Sequence, residues 1–128
     1  MSYLVYILKS DKYSYVGMTN NFMRRFLQHN GVLKGGAKYT TSHGKEWYPV
    51  CIIDGFKTMK EACQCEWSIK HHKKRHGAHN KILNLQLLWD RGYWTSKSPF
   101  IKEQSLTIYI DSEYKSLLSM DTNELYWK

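Results

Sequence analysis

Residues 3–29, YLVYILKSDKYSYVGMTNNFMRRFLQH, decide the fold of this chain. The runs LVYIL and YSYVG are rich in β-branched and aromatic residues, and the polar residues KSDK between them are typical of a turn. If those four residues form the loop, symmetric pairing places Tyr6 opposite Tyr15. Directly opposed residues share one face of a sheet. The pattern therefore predicts two neighbouring phenols, whose use in packing or in chemistry depends on what else lies beside them.

A helix is predicted to follow the hairpin directly, over residues 22–30. The polar residues TNN before it can cap its N-terminus. Arg25 and His29 are four residues apart, so they lie one above the other at the border of the apolar stripe. Arg24 lies on the other side of that stripe. Periodicity alone does not choose between the two arginines.

The composition favours a polyanionic partner. The net charge is +8 and 15% of the 128 residues are aromatic, a balance typical of nucleic-acid-binding domains. A basic protein with a merely solvated surface has the same balance. The cysteines are odd in number, and Cys63 and Cys65 are too close in sequence for a disulfide framework. This predicts reduced thiols and an intracellular protein, cytoplasmic or, in a eukaryote, nuclear. No apolar run is long enough to span a membrane.

The middle of the chain is predicted to contain a loop and a third strand. Residues 31–45 are rich in glycine and lysine, which predicts a mobile connection. Lys38 in that loop is a candidate phosphate contact. Residues 47–54, WYPVCIID, read as a strand with proline near its beginning, where a missing donor is tolerated.

A second, longer helix is predicted over residues 59–76, and it contains a conflict. Its apolar face would comprise Met59, Ala62, Cys63 and Ile69, and Glu66 falls in the middle of that face. A carboxylate there costs several kcal/mol unless it is paired or binds a metal. The alternatives are a buried ion pair with an arginine of the first helix, a helix rotated so that the carboxylate reaches the surface, and a functional acid. The last explains why the position is acidic at all.

The second half of the chain carries one basic run and little further chemistry. The run KHHKKRHGAHNK ends the long helix, and Lys73, Lys74 and Arg75 within it are candidate contacts to a nucleic-acid backbone; a solvated helix end is the alternative. Its histidines and the nearby cysteines do not have the spacing of a four-ligand zinc site. Residues 82–89 are predicted to pack on the core, residues 106–110 to form a strand, and residues 111–120 a short helix.

These residues together carry a resemblance. The triplet LVY, the triplet YVG, the pair Arg25 and His29, and then Glu66 are similar in order and spacing to the GIY-YIG nuclease superfamily. The segments YVGMTNN, RRFLQHNG and GGAKYT, and the later Trp47, resemble its small UvrC-like branch, which is related to the catalytic subunit of the eukaryotic nuclease that cuts branched DNA. The likeness covers about residues 3–88. It departs at Leu4, which replaces the first glycine of the signature, and in lacking the cysteine-rich zinc domain of the branched-DNA nucleases.

The resemblance implies an α/β fold: a small three-stranded antiparallel sheet flanked by helices. It divides the chain into a nuclease domain, residues 1–90, and a C-terminal extension, residues 91–128, packed on or beside it.

The resemblance also implies a metal-dependent catalytic site. Glu66 would be the single protein carboxylate on one Mg²⁺ or Mn²⁺ ion, which commonly keeps several waters. Arg25 would stabilise charge on the scissile phosphate, and Tyr6 would be the general base while Tyr15 positions the water or phosphate, or the reverse. His29 would orient or share the proton. Asn80 would be a polar residue that supports the site from behind the residues that touch the metal or the substrate.

The predicted function is therefore a Mg²⁺-dependent endonuclease that hydrolyses phosphodiester bonds in DNA, with specificity for branched or nicked DNA in repair as a further expectation. The alternatives are a nucleic-acid-binding module without catalysis and a sequence-specific restriction or homing nuclease. DNA is the expected partner and a membrane is not. A protein partner has no recognisable signature in the sequence.

Overall fold

The computed structural model describes residues 2–43, 46–74 and 76–125, without the side chain of Lys74. The strands are β1 (Tyr3–Ser10), β2 (Tyr13–Thr19), β3 (Tyr48–Phe56), β4 (Thr107–Ile110) and β5 (Asn123–Glu124). The helices are α1 (Phe22–His29), α2 (Lys38–His43), α3 (Met59–His71) and α4 (Ala78–Arg91). The predicted α/β class is confirmed.

The first hairpin has a tighter turn than predicted. Only Asp11 and Lys12 separate the strands, and Asp11 has a φ of 52°, a left-handed conformation that aspartate tolerates. Tyr6 consequently pairs with Gly17, and the predicted pairing of Tyr6 with Tyr15 is wrong by two residues. A shift of two leaves every side chain on its face, because side chains alternate along a strand. The two phenols therefore remain neighbours, now along a diagonal.

The sheet has five strands in the order β2-β1-β3-β4-β5, so the prediction of three strands is wrong. The additional strands come from the segment beyond α4. β4 pairs antiparallel with β3, and its alternating pattern was recognised in the sequence. β5 pairs parallel with β4 over two residues, too short a segment for any pattern to predict.

Each face of the sheet is covered by different helices. Val5 and Ile7 of β1 pack with α3 and α4 in the larger apolar cluster. Leu4, Tyr6 and Leu8 face the opposite way and pack with Phe22 and Phe26 of α1. Leu4, at the position of the missing glycine, is 8% exposed and fills this second cluster.

The long helix is shorter than predicted and rotated. α3 ends at His71, because Lys73 adopts a φ of 56° that breaks the helix before His76. Met59 and Cys63, which were expected in the core, are exposed, and Cys65 and Ser68 are buried instead, beside the expected Ala62 and Ile69. The rotation moves Glu66 from the centre of the buried face to its margin.

Two local predictions also need correction. The expected loop over residues 31–45 contains the six-residue helix α2, and Thr40 of that helix is buried. The helix expected over residues 111–120 is only a 3₁₀ turn, Lys115–Leu117. No helix among the described residues is long and apolar enough to cross a membrane.

Candidate functional site

The candidate site lies on the α1 side of the sheet, where β1 and β2 meet α1. Tyr6 is 1% exposed, and its hydroxyl lies 2.7 Å from His29 Nε2. The Tyr15 ring centroid lies 6.3 Å from that of Tyr6 and 4.8 Å from that of His29. The structure thus brings together two phenols and an imidazole that are 9 to 23 residues apart in the sequence.

The hydrogen bonds around His29 favour one tautomer of its ring. Thr40 Oγ1 lies 3.0 Å from the Ala37 carbonyl and donates its only proton there. With that proton so placed, His29 Nδ1, 2.8 Å from the same hydroxyl, carries a hydrogen and donates it. That leaves His29 Nε2 as an acceptor, and the Tyr6 hydroxyl donates to it. The chain runs in one direction, from Tyr6 through His29 and Thr40 to Ala37.

Thr40 is itself held by a tryptophan. Trp47 Nε1 donates to the Thr40 carbonyl at 2.9 Å, and the Asn30 side chain bonds both the N–H and the carbonyl of Trp47, at 2.6 and 2.8 Å. Thr40 and Trp47 belong to the segments that carried the family resemblance, but sequence reasoning assigned neither a role. Their contacts show that they position His29.

Gly17 allows the Tyr6 phenol to lie across β2. A Cβ atom at this position would overlap the Tyr6 hydroxyl and crowd the Tyr15 ring. Gly17 is the pairing partner of Tyr6, so the phenol occupies the space that a side chain on β2 would fill. The glycine of the YVG triplet is therefore required by close packing, since Gly17 does not adopt a positive φ.

The structure distinguishes the two arginines of α1. Arg24 is exposed, whereas Arg25 is half-buried and donates to the Gln28 side chain at 3.0 Å and to the Gly35 carbonyl at 2.7 Å. These bonds hold the Arg25 guanidinium on the side of α1 that carries His29.

Burial governs the protonation of this cluster. Burial raises the pKa of Tyr6 far above its usual value of 10, the neighbouring Tyr15 adds to the effect, and the Arg25 guanidinium partly offsets it. Burial, and secondly the charge of Arg25, lower the pKa of His29 to about 4. At neutral pH the resting site therefore holds a neutral phenol and a neutral imidazole that can accept its proton.

Glu66 reaches the same region from the other side of the sheet. β2 is an edge strand, and the side chains of α3 reach Tyr15 around it: Lys70 Nζ lies 5.5 Å from the Tyr15 ring centroid and 3.9 Å from Glu66 Oε1. The Glu66 charge also contributes, as the smallest of five causes, to the pKa of Tyr6. The Glu66 side chain is 23% exposed and its ionic partner is Lys70. The expected pairing with an arginine of α1 is not the one formed.

A single carboxylate limits the metals that this site could hold. The described residues contain no group of three or more histidine, cysteine, aspartate or glutamate side chains that could bind an ion. All three cysteines are free, Cys51 and Cys65 in the core and Cys63 at the surface. One hard, partly exposed oxygen ligand fits a cation that keeps most of its waters, such as Mg²⁺, and does not fit a closed zinc site.

A basic, aromatic cleft of about 610 Å³ opens beside Tyr15. The Tyr39 ring stacks on His43 at 4.2 Å between centroids and lies 6.2 Å from that of Tyr15. Lys70 and Lys81 line the cleft together, and burial, with the charge of Lys70, lowers the pKa of Lys81. Cations held this close together provide a favourable site for an anion.

The other predicted contact residues lie further out. Lys38 is exposed at the start of α2, and Lys73 is exposed just beyond α3. The Asn80 amide donates to the His76 carbonyl at 2.7 Å, a local bond between the first turn of α4 and the segment before it. The Lys74 side chain and Arg75 lie outside the described residues.

The fold begins with a hairpin followed by a helix, and two phenols and an imidazole lie together where these elements meet. This arrangement places the fold in the class of GIY-YIG catalytic domains. The family model described as the GIY-YIG catalytic domain matches residues 2–82, more than half of the 128 residues. The chain therefore belongs to the GIY-YIG family, as predicted.

Three curated relatives to which the chain is similar share one printed name, structure-specific endonuclease subunit Slx1. The chain is 41% identical over 78 residues to that of Aspergillus terreus, an alignment covering 58% of this chain and 20% of the relative. It is 36% identical over 94 residues to that of Schizosaccharomyces japonicus, covering 67% and 34%. It is 32% identical over 114 residues to that of Debaryomyces hansenii, covering 73% and 33%. The chain thus spans a fifth to a third of the length of these relatives.

Proposed function

We propose that this protein is a DNA endonuclease that hydrolyses phosphodiester bonds at the site formed by Tyr6, Tyr15, Arg25, His29 and Glu66. The directed hydrogen-bond chain from Tyr6 to His29 is the observation that supports this most strongly. A binding module needs cations and aromatic rings, but it does not need a buried phenol whose proton already points at a neutral imidazole.

The chain of hydrogen bonds provides a route for the proton of the attacking water. A free Tyr6 phenolate is disfavoured, because burial raises the pKa of the phenol. In the proposed route, the Tyr6 oxygen takes a proton from water while its own proton passes to His29 Nε2, so no free phenolate is formed. His29 then becomes an imidazolium whose Nδ1–H remains bonded to Thr40. This retains Tyr6 as the general base and makes His29 the group that receives the proton.

The scissile phosphate is negatively charged, so its cleavage requires cationic groups close to it. Arg25 is fixed beside Tyr6 by two hydrogen bonds, so its guanidinium is in position to stabilise charge on the phosphoryl oxygens. Glu66 would hold the divalent cation, Mg²⁺ or Mn²⁺, and the bound cation supplies positive charge to the phosphate and lowers the pKa of water. Lys70 would then exchange its contact with Glu66 for one with the phosphate backbone. Tyr15, less buried than Tyr6, would position the water or the phosphate.

The names of the relatives support a proposal for the substrate and for a protein partner. Those proteins are named as subunits of structure-specific endonucleases, so we propose branched or nicked DNA as the substrate, a role in repair, and a protein partner in the cell. Residues 1–90 would form the catalytic domain, and residues 91–128 an extension that completes its sheet. An intracellular location agrees with three free thiols.

The test is a nicking assay on supercoiled plasmid with Mg²⁺, with Mn²⁺ and with EDTA. Cleavage should require the metal and should be abolished by Glu66→Gln, while folding and DNA binding in EDTA are retained. Glu103→Gln is the matched control, because it removes an exposed carboxylate far along the chain in a 3₁₀ turn. Metal-independent nicking, or full activity of Glu66→Gln, would show that the site is wrong. Binding without cleavage by the wild type would favour the non-catalytic alternative.

A panel of oligonucleotides then tests the substrate. Flaps, four-way junctions, nicked duplex and plain duplex of the same sequence should be cleaved at different rates, with branched forms preferred. Equal cleavage of all forms would contradict structure specificity. Cleavage at one fixed sequence in every form would favour a restriction or homing nuclease.

A further inference from the structure

A second cavity, of about 760 Å³, lies between α3 and the segment that follows α4. Trp67 of α3 lines it and is 58% exposed, the largest value among the exposed aromatic side chains of the described residues. Tyr93 lines it from the segment beyond α4. We refer to this cavity, lined by Trp67, His71, Lys73, Arg91, Tyr93 and Lys97, as the Trp67 groove.

The rings of the groove are supported by their neighbours. Trp67 stacks on His71 with 4.7 Å between ring centroids, and His71 Nδ1 donates to the Trp67 carbonyl at 2.8 Å. The Arg91 guanidinium lies 4.4 Å from the Tyr93 ring centroid and donates to the Tyr93 and Trp94 carbonyls at 3.0 and 2.6 Å. Trp67 nevertheless leaves more than half of its surface in water, so the ring is accessible to a ligand.

The charge of the groove is of one sign. Lys73, Arg91 and Lys97 line it, and none of its described lining residues is a carboxylate. A cationic groove with exposed aromatic rings is the combination that binds single-stranded nucleic acid, because phosphates contact the cations and unpaired bases stack on the rings. An apolar protein segment would use the tryptophan but would have no use for three cations.

The groove is also close to the candidate catalytic site. Trp67 follows Glu66 directly in α3, so the two side chains point about 100° apart around the helix. Each contacts the residue four positions further along the helix: Glu66 pairs with Lys70, and Trp67 stacks on His71. A strand that leaves Glu66 can therefore cross α3 and enter the groove within a few nucleotides.

We propose that the Trp67 groove binds unpaired nucleotides of the DNA strand that leaves the catalytic cleft, with one base stacked on Trp67. The proposal rests on the proposed nuclease function and specifies how that function would recognise a branch. Double-stranded DNA would engage the cations but not the ring, because its bases are already stacked on one another.

The experiment measures binding of the full chain to a short fluorescein-labelled oligothymidylate in EDTA, by anisotropy. Three further probes accompany it: a duplex of the same length, an abasic oligomer with the same number of phosphates, and an inert neutral polymer as a blank. The variants are Trp67→Ala, which removes the ring, Trp67→Phe, which keeps a smaller one, and Phe100→Ala. Phe100 is the control because it is 53% exposed but lines a different cavity.

We expect Trp67→Ala to bind oligothymidylate about 5- to 150-fold more weakly than the wild type, and Trp67→Phe to fall between them. Duplex binding should change less than twofold, and Phe100→Ala should resemble the wild type on every probe. The abasic oligomer should bind the wild type and Trp67→Ala equally, because it has no base to stack. Circular dichroism establishes that each variant is folded.

Two results would overturn the inference. One is an unchanged affinity of Trp67→Ala for oligothymidylate; the other is an equal loss for oligothymidylate, duplex and abasic oligomer, which indicates a structural effect. Neither result concerns cleavage. A wild type that binds unpaired DNA through Trp67 but cuts nothing would refute the proposed nuclease function and support the binding role of the Trp67 groove. A protein that cuts DNA but does not use Trp67 to bind unpaired DNA would refute the role of the groove and support the nuclease function.

Discussion

Replacing Thr40 tests whether the orientation of the His29 proton matters for catalysis. Thr40→Val keeps the shape of the side chain and removes the hydroxyl that accepts from His29 Nδ1. Thr40→Ser keeps the hydroxyl and removes a methyl group. A loss confined to the valine variant would therefore be due to the hydrogen bond and not to packing.

The magnitude follows from the burial of His29, which is 3% exposed. A buried N–H without an acceptor costs about 1–3 kcal/mol. In Thr40→Val, His29 can avoid that cost by moving its proton to Nε2 and donating it to Tyr6, which reverses the chain. Restoring the productive tautomer then requires about the same 1–3 kcal/mol, which corresponds to a roughly 5- to 150-fold slower chemical step. Thr40→Ser should stay within about threefold of the wild type on the same scale.

The assay is single-turnover cleavage of a branched oligonucleotide at saturating protein, which separates the chemical step from binding. Nitrogen NMR of the histidine side chains reports which ring nitrogen carries the proton. We expect the valine variant to show a slower chemical step, unchanged substrate affinity in EDTA, and a proton moved from Nδ1 to Nε2. A folded Thr40→Val protein that cleaves as fast as Thr40→Ser would refute the directed chain, and so would a slow variant with the wild-type tautomer.

Three further predictions concern packing, pH and charge. Gly17→Ala should displace the Tyr6 hydroxyl, lower the free energy of unfolding by about 1–3 kcal/mol and reduce cleavage; unchanged urea unfolding and cleavage would contradict the close approach. The pKa of His29 is about 4 in the folded protein and about 6.5 in the unfolded chain. The free energy of unfolding should therefore fall as the pH drops from 6.5 to 4, and at pH 4.5 it should be about 2–3 kcal/mol lower than at pH 7. Urea unfolding at both pH values should show a smaller fall for His29→Gln, and equal falls would contradict the lowered pKa. Lys73→Gly should raise the free energy of unfolding by about 0.5–1 kcal/mol, since glycine adopts the positive φ without strain; a destabilised variant would refute this. The same variant should reduce the slope of log K for DNA binding against log salt concentration by about one unit.

The hairpin and α1 were predictable because their information is local. Side chains alternate between the two faces of a strand, so a register shift of two residues leaves Tyr6 and Tyr15 on the same face. The incorrect turn length therefore did not separate them. The four-residue spacing likewise predicted that Arg25 and His29 are neighbours. The choice of Arg25 over Arg24 came from family resemblance, and the hydrogen bond to the Gly35 carbonyl gives its physical reason.

The orientation of α3 was not predictable, because distant contacts decide it. Apolar character placed Cys63 and Met59 in the core, yet both tolerate water. Ser68 is buried instead because its hydroxyl donates to the Trp94 carbonyl, 26 residues further along the chain. No periodicity within the helix contains that partner. The same holds for Thr40, whose importance depends on contacts with His29 and Trp47.

The rotation of α3 also changes the meaning of Glu66. At the centre of a buried face, the carboxylate would need a permanent partner and could not release it for a metal or a substrate. At the margin, beside the edge strand, it makes a long 3.9 Å contact with Lys70, and Lys70 in turn shares the cleft with Lys81. Surface pairs of this kind contribute little stability, so the contact is easily exchanged. Burial, and secondly the charge of Lys70, lower the pKa of Lys81. An anion that enters the cleft relieves the repulsion between the two lysines. Nucleic acid is the polyanion that suits both these lysines and the stacked rings of Tyr39 and His43 in the same cleft.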